Sequence, residues 1–144
     1  MSRITFNEQG MKLEKEGTGV VFDGPSGSPV FTTQSLTAAS TLTVGGVYTV
    51  SGNTAVTTVM PLASAVPGAT FIFRSTSAHA HVLTGSQETN GTKVFAGIPG
   101  AVGISGQGSS LALNATQGSS VCLVSDGKSF LLNSLSGSCT ISGT

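Results

Sequence analysis

Apolar and polar residues alternate in short runs along this chain, and no run keeps a helical 3.6-residue period. Thr41-Leu42-Thr43-Val44 alternates cleanly, Val47-Tyr48-Thr49-Val50 follows Gly45-Gly46, and residues 54–60 form a third run after the turn Ser51-Gly52-Asn53. These three segments predict a meander joined by hairpin-sized loops. Pro61 ends the third strand because it lacks the donor that a central ladder needs. Pro67-Gly68 turns into residues 70–74, where Phe71 and Phe73 share one face and Ile72 takes the other. Residues 79–83 read as a further strand and 85–92 as a polar loop.

Lys93-Val94-Phe95 restarts the sheet. Gly97, Gly100, Gly103, Gly106 and Gly108 then predict a loop or an irregular strand, before Leu111-Ala112-Leu113 resumes the pattern. Val121-Cys122-Leu123-Val124 runs through Ser125-Asp126-Gly127-Lys128 into Phe130-Leu131-Leu132. Asp-Gly between two apolar runs is the strongest hairpin signal in the chain. Cys139-Thr140-Ile141 is expected as an edge strand. Nine or ten short strands at regular spacing predict an all-β fold, a compact antiparallel β-sandwich or jelly-roll-like domain. Without a clean 20–50-residue repeat, a solenoid is not expected.

Composition narrows this picture. The 144 residues include only 12 charged ones, six basic and six acidic, beside 21 Ser, 19 Thr and 20 Gly. A formal net charge of zero lacks the basic face that nucleic-acid binding needs. The apolar runs are far too short for a membrane span of ~20 residues. The N-terminus has no apolar signal core, so no secretory signal is expected. Glycine lacks the collagen period. An apolar share of 38% argues against disorder and is enough for one domain with a modest core.

Charge is also unevenly placed. Arg3, Glu8, Lys12, Glu14, Lys15, Glu16 and Asp23 crowd the segment before Gly24, whereas the rest of the chain holds Arg74, Glu88, Lys93, Asp126 and Lys128. Gly24-Pro25-Ser26-Gly27-Ser28-Pro29 has a linker composition. Residues 1–30 therefore read as an extended N-terminal arm and linker, and 31–144 as the sandwich domain. Within the arm, residues 12–16 could form one helical turn, too short to stand alone. Ile4, Phe6, Leu13, Val20, Val21 and Phe22 would supply contact surface if the arm orders on a partner subunit.

Catalytic chemistry is sparse. His79 and His81, two apart, would share one face of a strand and are the weak candidates for a metal, which needs further ligands that sequence does not place. No metal, catalytic or cofactor site is assigned. No Gly-x-Ser-x-Gly elbow sits in a strand-turn-helix context, and Gly106-Gln107-Gly108 lacks the lysine and helix of a phosphate loop. Asn90-Gly91-Thr92 and Asn114-Ala115-Thr116 match glycosylation sequons, as a Thr-rich chain does by accident. Cys122 and Cys139 could form one disulfide, but two buried thiols are expected. The chain reads as a non-enzymatic structural or binding protein.

Two segments carry a resemblance. Residues 54–74, with Met60-Pro61-Leu62, Pro67-Gly68-Ala69 and an aromatic strand, and residues 118–130, with a Ser-Asp-Gly turn and an aromatic return strand, resemble a β-module of tailed-bacteriophage virion proteins. That module occurs in capsid decoration (cement) proteins and in fibre or spike proteins. The resemblance spans roughly residues 41–135, and Phe130 stands where a Trp or Tyr is common. It implies a non-enzymatic virion component without cofactor, made in the host cytoplasm and placed on the capsid surface. It further implies a homo-oligomer, a trimer, that binds the major capsid protein and neither nucleic acid nor membrane. The short chain favours head stabilisation. The alternative is a glycan-binding host-recognition module of a fibre or spike.

Overall fold

A computed structural model of the chain describes residues 33–85, 93–98 and 106–143, together with the strands at 2–7 and 10–15. The chain divides into two units, Met1–Thr32 and Thr33–Thr144.

The first unit holds an antiparallel hairpin of β1 (Ser2–Asn7) and β2 (Gly10–Lys15). The helical turn expected at 12–16 is not formed: residues 12–15 belong to β2. Period-two alternation prevails there, with Ile4 and Phe6 in β1 and Met11 and Leu13 in β2 separated by polar residues. The register sets Ile4 opposite Leu13 and Phe6 opposite Met11, so these four positions share one face of the ribbon, while Arg3 lies opposite Glu14.

The second unit is an all-β sandwich. One sheet has seven strands in the order β10 (Gln107–Gly108), β9 (Phe95–Ala96), β13 (Phe130–Ser136), β12 (Ser120–Ser125), β7 (Thr70–Ser75), β5 (Gly46–Val50), β3 (Thr33–Leu36). The other has five, in the order β14 (Cys139–Ser142), β11 (Ser110–Leu113), β8 (Val82–Thr84), β6 (Thr57–Val59), β4 (Ser40–Thr41). The hairpin of β12 and β13 forms as its Asp-Gly turn predicts, with Gly127 at φ 85°. The segment at 139–142 is the expected edge strand.

Both sheets are mixed rather than purely antiparallel. The expected meander over 41–60 is replaced by a winding path: β3, β5 and β7 are parallel neighbours in one sheet, and β4, β6 and β8 are parallel neighbours in the other. The chain thus changes sheet at every connection between β3 and β8. Two of these crossings, from β4 to β5 and from β5 to β6, hold a buried anchor each. Leu42 and Val56 lie in connecting segments yet join the core, drawing the chain between the layers instead of back along its own strand. Gly45 permits the crossing from β4 to β5, because a Cβ there would sit 2.6 Å from the Thr70 carbonyl oxygen. The winding is solenoid-like over these strands, but it leaves no sequence repeat. Thr33 pairs with Val47, Ser40 with Thr58, Gly46 with Phe71 and Thr57 with Val82, so the partners lie 14, 18, 25 and 25 positions apart and hold no single period.

Aromatic rings fill the space between the sheets. Tyr48 and Phe73 stack at 5.3 Å between ring centroids, and Phe130 meets Phe71 edge-on at 5.4 Å. The Tyr48 hydroxyl donates to the Val44 carbonyl at 2.6 Å, and burial pushes its pKa up. Leu83, Leu111 and Leu113 face these rings from the five-stranded sheet. Thr58 is 1% exposed on the core-facing side of β6, and its hydroxyl has no hydrogen-bond partner.

Candidate functional site

His79 and His81 lie in the connection before β8 rather than on a strand, as the spacing had suggested. The His81 N–H turns back to the His79 carbonyl at 3.0 Å, and the two rings meet edge-on with centroids 6.3 Å apart. His81 is 1% exposed, whereas His79 is half-buried. The Val56 N–H donates to His81 Nδ1 at 3.0 Å, and Nε2 lies 2.9 Å from Ser77 Oγ. An amide can only donate, so Nδ1 presents its lone pair and Nε2–H donates to Ser77. Burial, and then the neighbouring His79, lower the His81 pKa from 6.5. Its backbone carbonyl accepts from the Leu113 N–H at 2.8 Å. His81 therefore ties the loops before β6 and β8 to strand β11, and both ring nitrogens are already engaged. Among the described residues, no group of three His, Cys, Asp or Glu could hold a metal ion.

The two segments carrying the phage-module resemblance close on each other at the opposite ends of these strands. Ser125 Oγ donates at 2.9 Å to the Ala63 carbonyl, which also accepts from the Val66 amide at the end of the short 3-10 turn Ala63–Ala65, and Ser125 Oγ accepts from the Gly127 N–H at 3.2 Å. Gly68 N–H reaches the Ser125 carbonyl, and Ser125 N–H reaches the Ala69 carbonyl, each at 2.9 Å. Asp126 Oδ1 accepts from the Lys128 and Ser129 amides at 2.8 and 2.7 Å, and the Ser129 bond leads the causes that lower its pKa. The three residues of the Ser-Asp-Gly turn thus divide the work. Ser125 bridges to the 3-10 turn, Asp126 closes the turn, and Gly127 supplies the positive φ.

Outer faces of the two sheets differ. On the seven-stranded sheet, cross-strand register aligns Val47, Ile72 and Cys122 in one row and Val124, Leu131 and Ala96 in the next. Leu131 is 40% exposed and the other five are half-buried. A third row, Thr49, Arg74 and Ser120, is polar. The five-stranded sheet presents Thr41, Val59, Thr84, Ser110 and Ser142 in one row and Thr57, Val82, Ala112 and Thr140 in another. Of the described charged side chains in this unit, Arg74 alone stands on a strand; Lys93, Asp126 and Lys128 are in connections. The apolar outer rows are absent from the contact residues expected from sequence. A signal was present in Val121-Cys122-Leu123-Val124, since four apolar residues in succession place apolar groups on both faces of a strand.

Of the expected contact residues, Ile4, Phe6 and Leu13 sit at matched positions of the hairpin, and Val20, Val21 and Phe22 lie outside the described residues. The two thiols are free: Cys139 is buried on the inner side of the five-stranded sheet, and Cys122 is half-buried on the outer side of the other. Burial pushes the Cys139 thiol pKa up. The chain matches no family model, no curated protein and no solved structure.

Proposed function

We propose that this protein is a non-enzymatic structural component of a phage virion, a capsid decoration protein that stabilises the head by bridging major capsid subunits. The observation that carries the reading is the distribution of charge. Both outer faces of the sandwich are built from small hydroxyl and apolar side chains, with Arg74 the one charged residue on a described strand of that unit. Such faces pack against protein at low desolvation cost, since few charges must leave water. The hairpin of the first unit adds a ribbon with Ile4, Phe6, Met11 and Leu13 on one face. A two-stranded ribbon is marginal alone in water and gains from a covered apolar face. The bonds that join the Pro-Gly-Ala and Ser-Asp-Gly segments support the resemblance on which the virion assignment rests.

Self-association, as the trimer that the resemblance implies, would multiply weak contacts with the shell through avidity. Within this proposal the sandwich assembles and the N-terminal segment reaches neighbouring subunits. In the sandwich, every described Phe and Tyr ring (Tyr48, Phe71, Phe73, Phe95 and Phe130) is buried, which takes these rings away from sugar stacking and weighs against the fibre reading. The test is a pull-down on empty phage heads with the full chain and with a chain lacking residues 1–30. The full chain is expected to bind and the truncated chain to bind more weakly. Undiminished binding by the truncated chain removes the arm's role. Saturable binding to host polysaccharide with none to heads replaces the decoration reading with the fibre one.

A further inference from the structure

We infer that the outer face of the seven-stranded sheet is covered by a second copy of this chain, with Val47, Ile72, Cys122, Val124, Leu131 and Ala96 at the centre of the contact. The inference rests on self-association of the chain, through a two-fold face-to-face contact rather than the trimer that the resemblance implies, and not on shell binding. Cross-strand pairing makes these residues one continuous surface. Val47 lies beside Ile72, Ile72 beside Cys122, Val124 beside Leu131 and Leu131 beside Ala96, so the patch crosses β5, β7, β12, β13 and β9 without a break. Contiguous exposed apolar patches mark interaction sites, whereas scattered apolar residues do not.

Area and charge point to another copy as the occupant. Six inter-strand steps of about 4.8 Å and strands of two to seven residues, about 15 Å long on average, give a face of about 29 Å by about 15 Å. By the same strand spacings that is about 430 Å² in projection, and side-chain relief makes the accessible area larger. Two such faces together approach the lower bound of specific interfaces, about 1,200 Å² in total. The five-stranded sheet, with four steps and strands of two to four residues, offers about half that area and falls in the range of incidental contacts. Charge gives the same preference. The apolar rows carry no charge and the adjoining row carries Arg74 alone, so two copies can meet with their apolar rows in register and little like-charge repulsion. A strongly acidic or basic partner would find no complementary field on this face. Stacked sheets approach to about 10 Å, which the half-buried Val, Ile and Cys side chains permit.

Sedimentation velocity of the full chain across roughly 1–100 µM tests the inference, with the variants Leu131→Arg and Ile72→Arg on this face and Thr84→Arg on the five-stranded sheet. The expected result is an oligomeric wild type, at least tenfold weaker self-association for the first two variants, and no change for the third. Leu131→Arg guards against misfolding, because an exposed site accepts a long charged side chain and the thermal unfolding of the variant can be matched to wild type. Cys122 supplies a second readout without mutation: its alkylation by a maleimide should slow as protein concentration rises. A monomeric wild type, a Leu131→Arg variant that self-associates like wild type, or Cys122 labelling independent of concentration would each overturn it. A wild-type chain that binds heads yet sediments as a monomer overturns this inference and leaves shell binding standing.

Discussion

Acid should loosen the sandwich through His81, and the size of the effect follows from its surroundings. His81 can gain a proton only at Nδ1, where the Val56 N–H already donates at 3.0 Å. Protonation therefore turns an acceptor into a donor and leaves a buried amide without a partner, at a cost of about 1–3 kcal/mol. Burial and the neighbouring His79 lower the native pKa from 6.5, so between that value and the lowered one the unfolded chain binds a proton that the native chain does not. This contribution to stability is present in full above about pH 6.5 and is lost as pH falls through the lowered native pKa. One proton limits the loss to about 1.4 kcal/mol per pH unit, hence to at most about 2 kcal/mol by pH 5. Ordinary carboxylates titrate near pH 4, below this window. The assay is urea unfolding at pH 7.5, 6.5, 5.5 and 5.0. Wild type should lose stability over that range, by no more than about 2 kcal/mol, and His79→Gln should keep most of the dependence. His81→Ala should be weaker by about 2–4 kcal/mol at pH 7.5 through the lost side chain and the unpaired Val56 amide, and should show little dependence on pH. A flat wild-type profile between pH 7.5 and 5.0, or an undiminished slope in His81→Ala, would refute the reasoning.

Thr58→Val should stabilise the fold by about 1–2 kcal/mol, because it removes a buried hydroxyl without a partner and keeps the β-branched shape; the urea midpoint should rise with an unchanged slope. Gly45→Ala should destabilise by about 1–3 kcal/mol, since its Cβ would meet the Thr70 carbonyl oxygen and that backbone belongs to a central strand. A thermal midpoint equal to wild type would show that the crossing before β5 is looser than described. Ser125→Ala should cost about 0.5–1.5 kcal/mol by removing a buried hydroxyl that donates to the Ala63 carbonyl, which keeps the Val66 amide, and accepts from the Gly127 amide, whereas Ser129→Ala, whose described role at the turn is a backbone donor to Asp126, should cost less; paired denaturation curves compare them.

Several elements were legible because their cause is local. The aromatic strand at 70–75 shows its inner and outer residues by alternation alone, and the hairpin of β12 and β13 is announced by Asp126-Gly127, whose turn needs a positive φ. The crowding of charge ahead of Gly24 is likewise a property of the chain itself. His81 was less legible. Its neighbours suggested a strand with two rings on one face, but its role depends on Val56 and Ser77, and the amide of residue 56 is 25 positions away. Ser125 illustrates the same limit, since the carbonyl its hydroxyl bonds is 62 residues earlier.

Sequence by itself determined that this chain makes short strands, where they turn, and which residues of each strand face inward, because a period of two and the preferences of turn residues are read within a few positions. Tertiary structure decided which strands pair. Residues 41–60 have the local pattern of a meander, and nothing within a few positions distinguishes a return along the same sheet from a crossing to the other. Burial of Leu42 and Val56 between the layers selects the crossings into β5 and β6, and the winding leaves each strand from β3 to β6 parallel to the next but one in the chain. The same selection aligns Val47, Ile72 and Cys122 across three strands, turning separate half-buried side chains into one apolar surface.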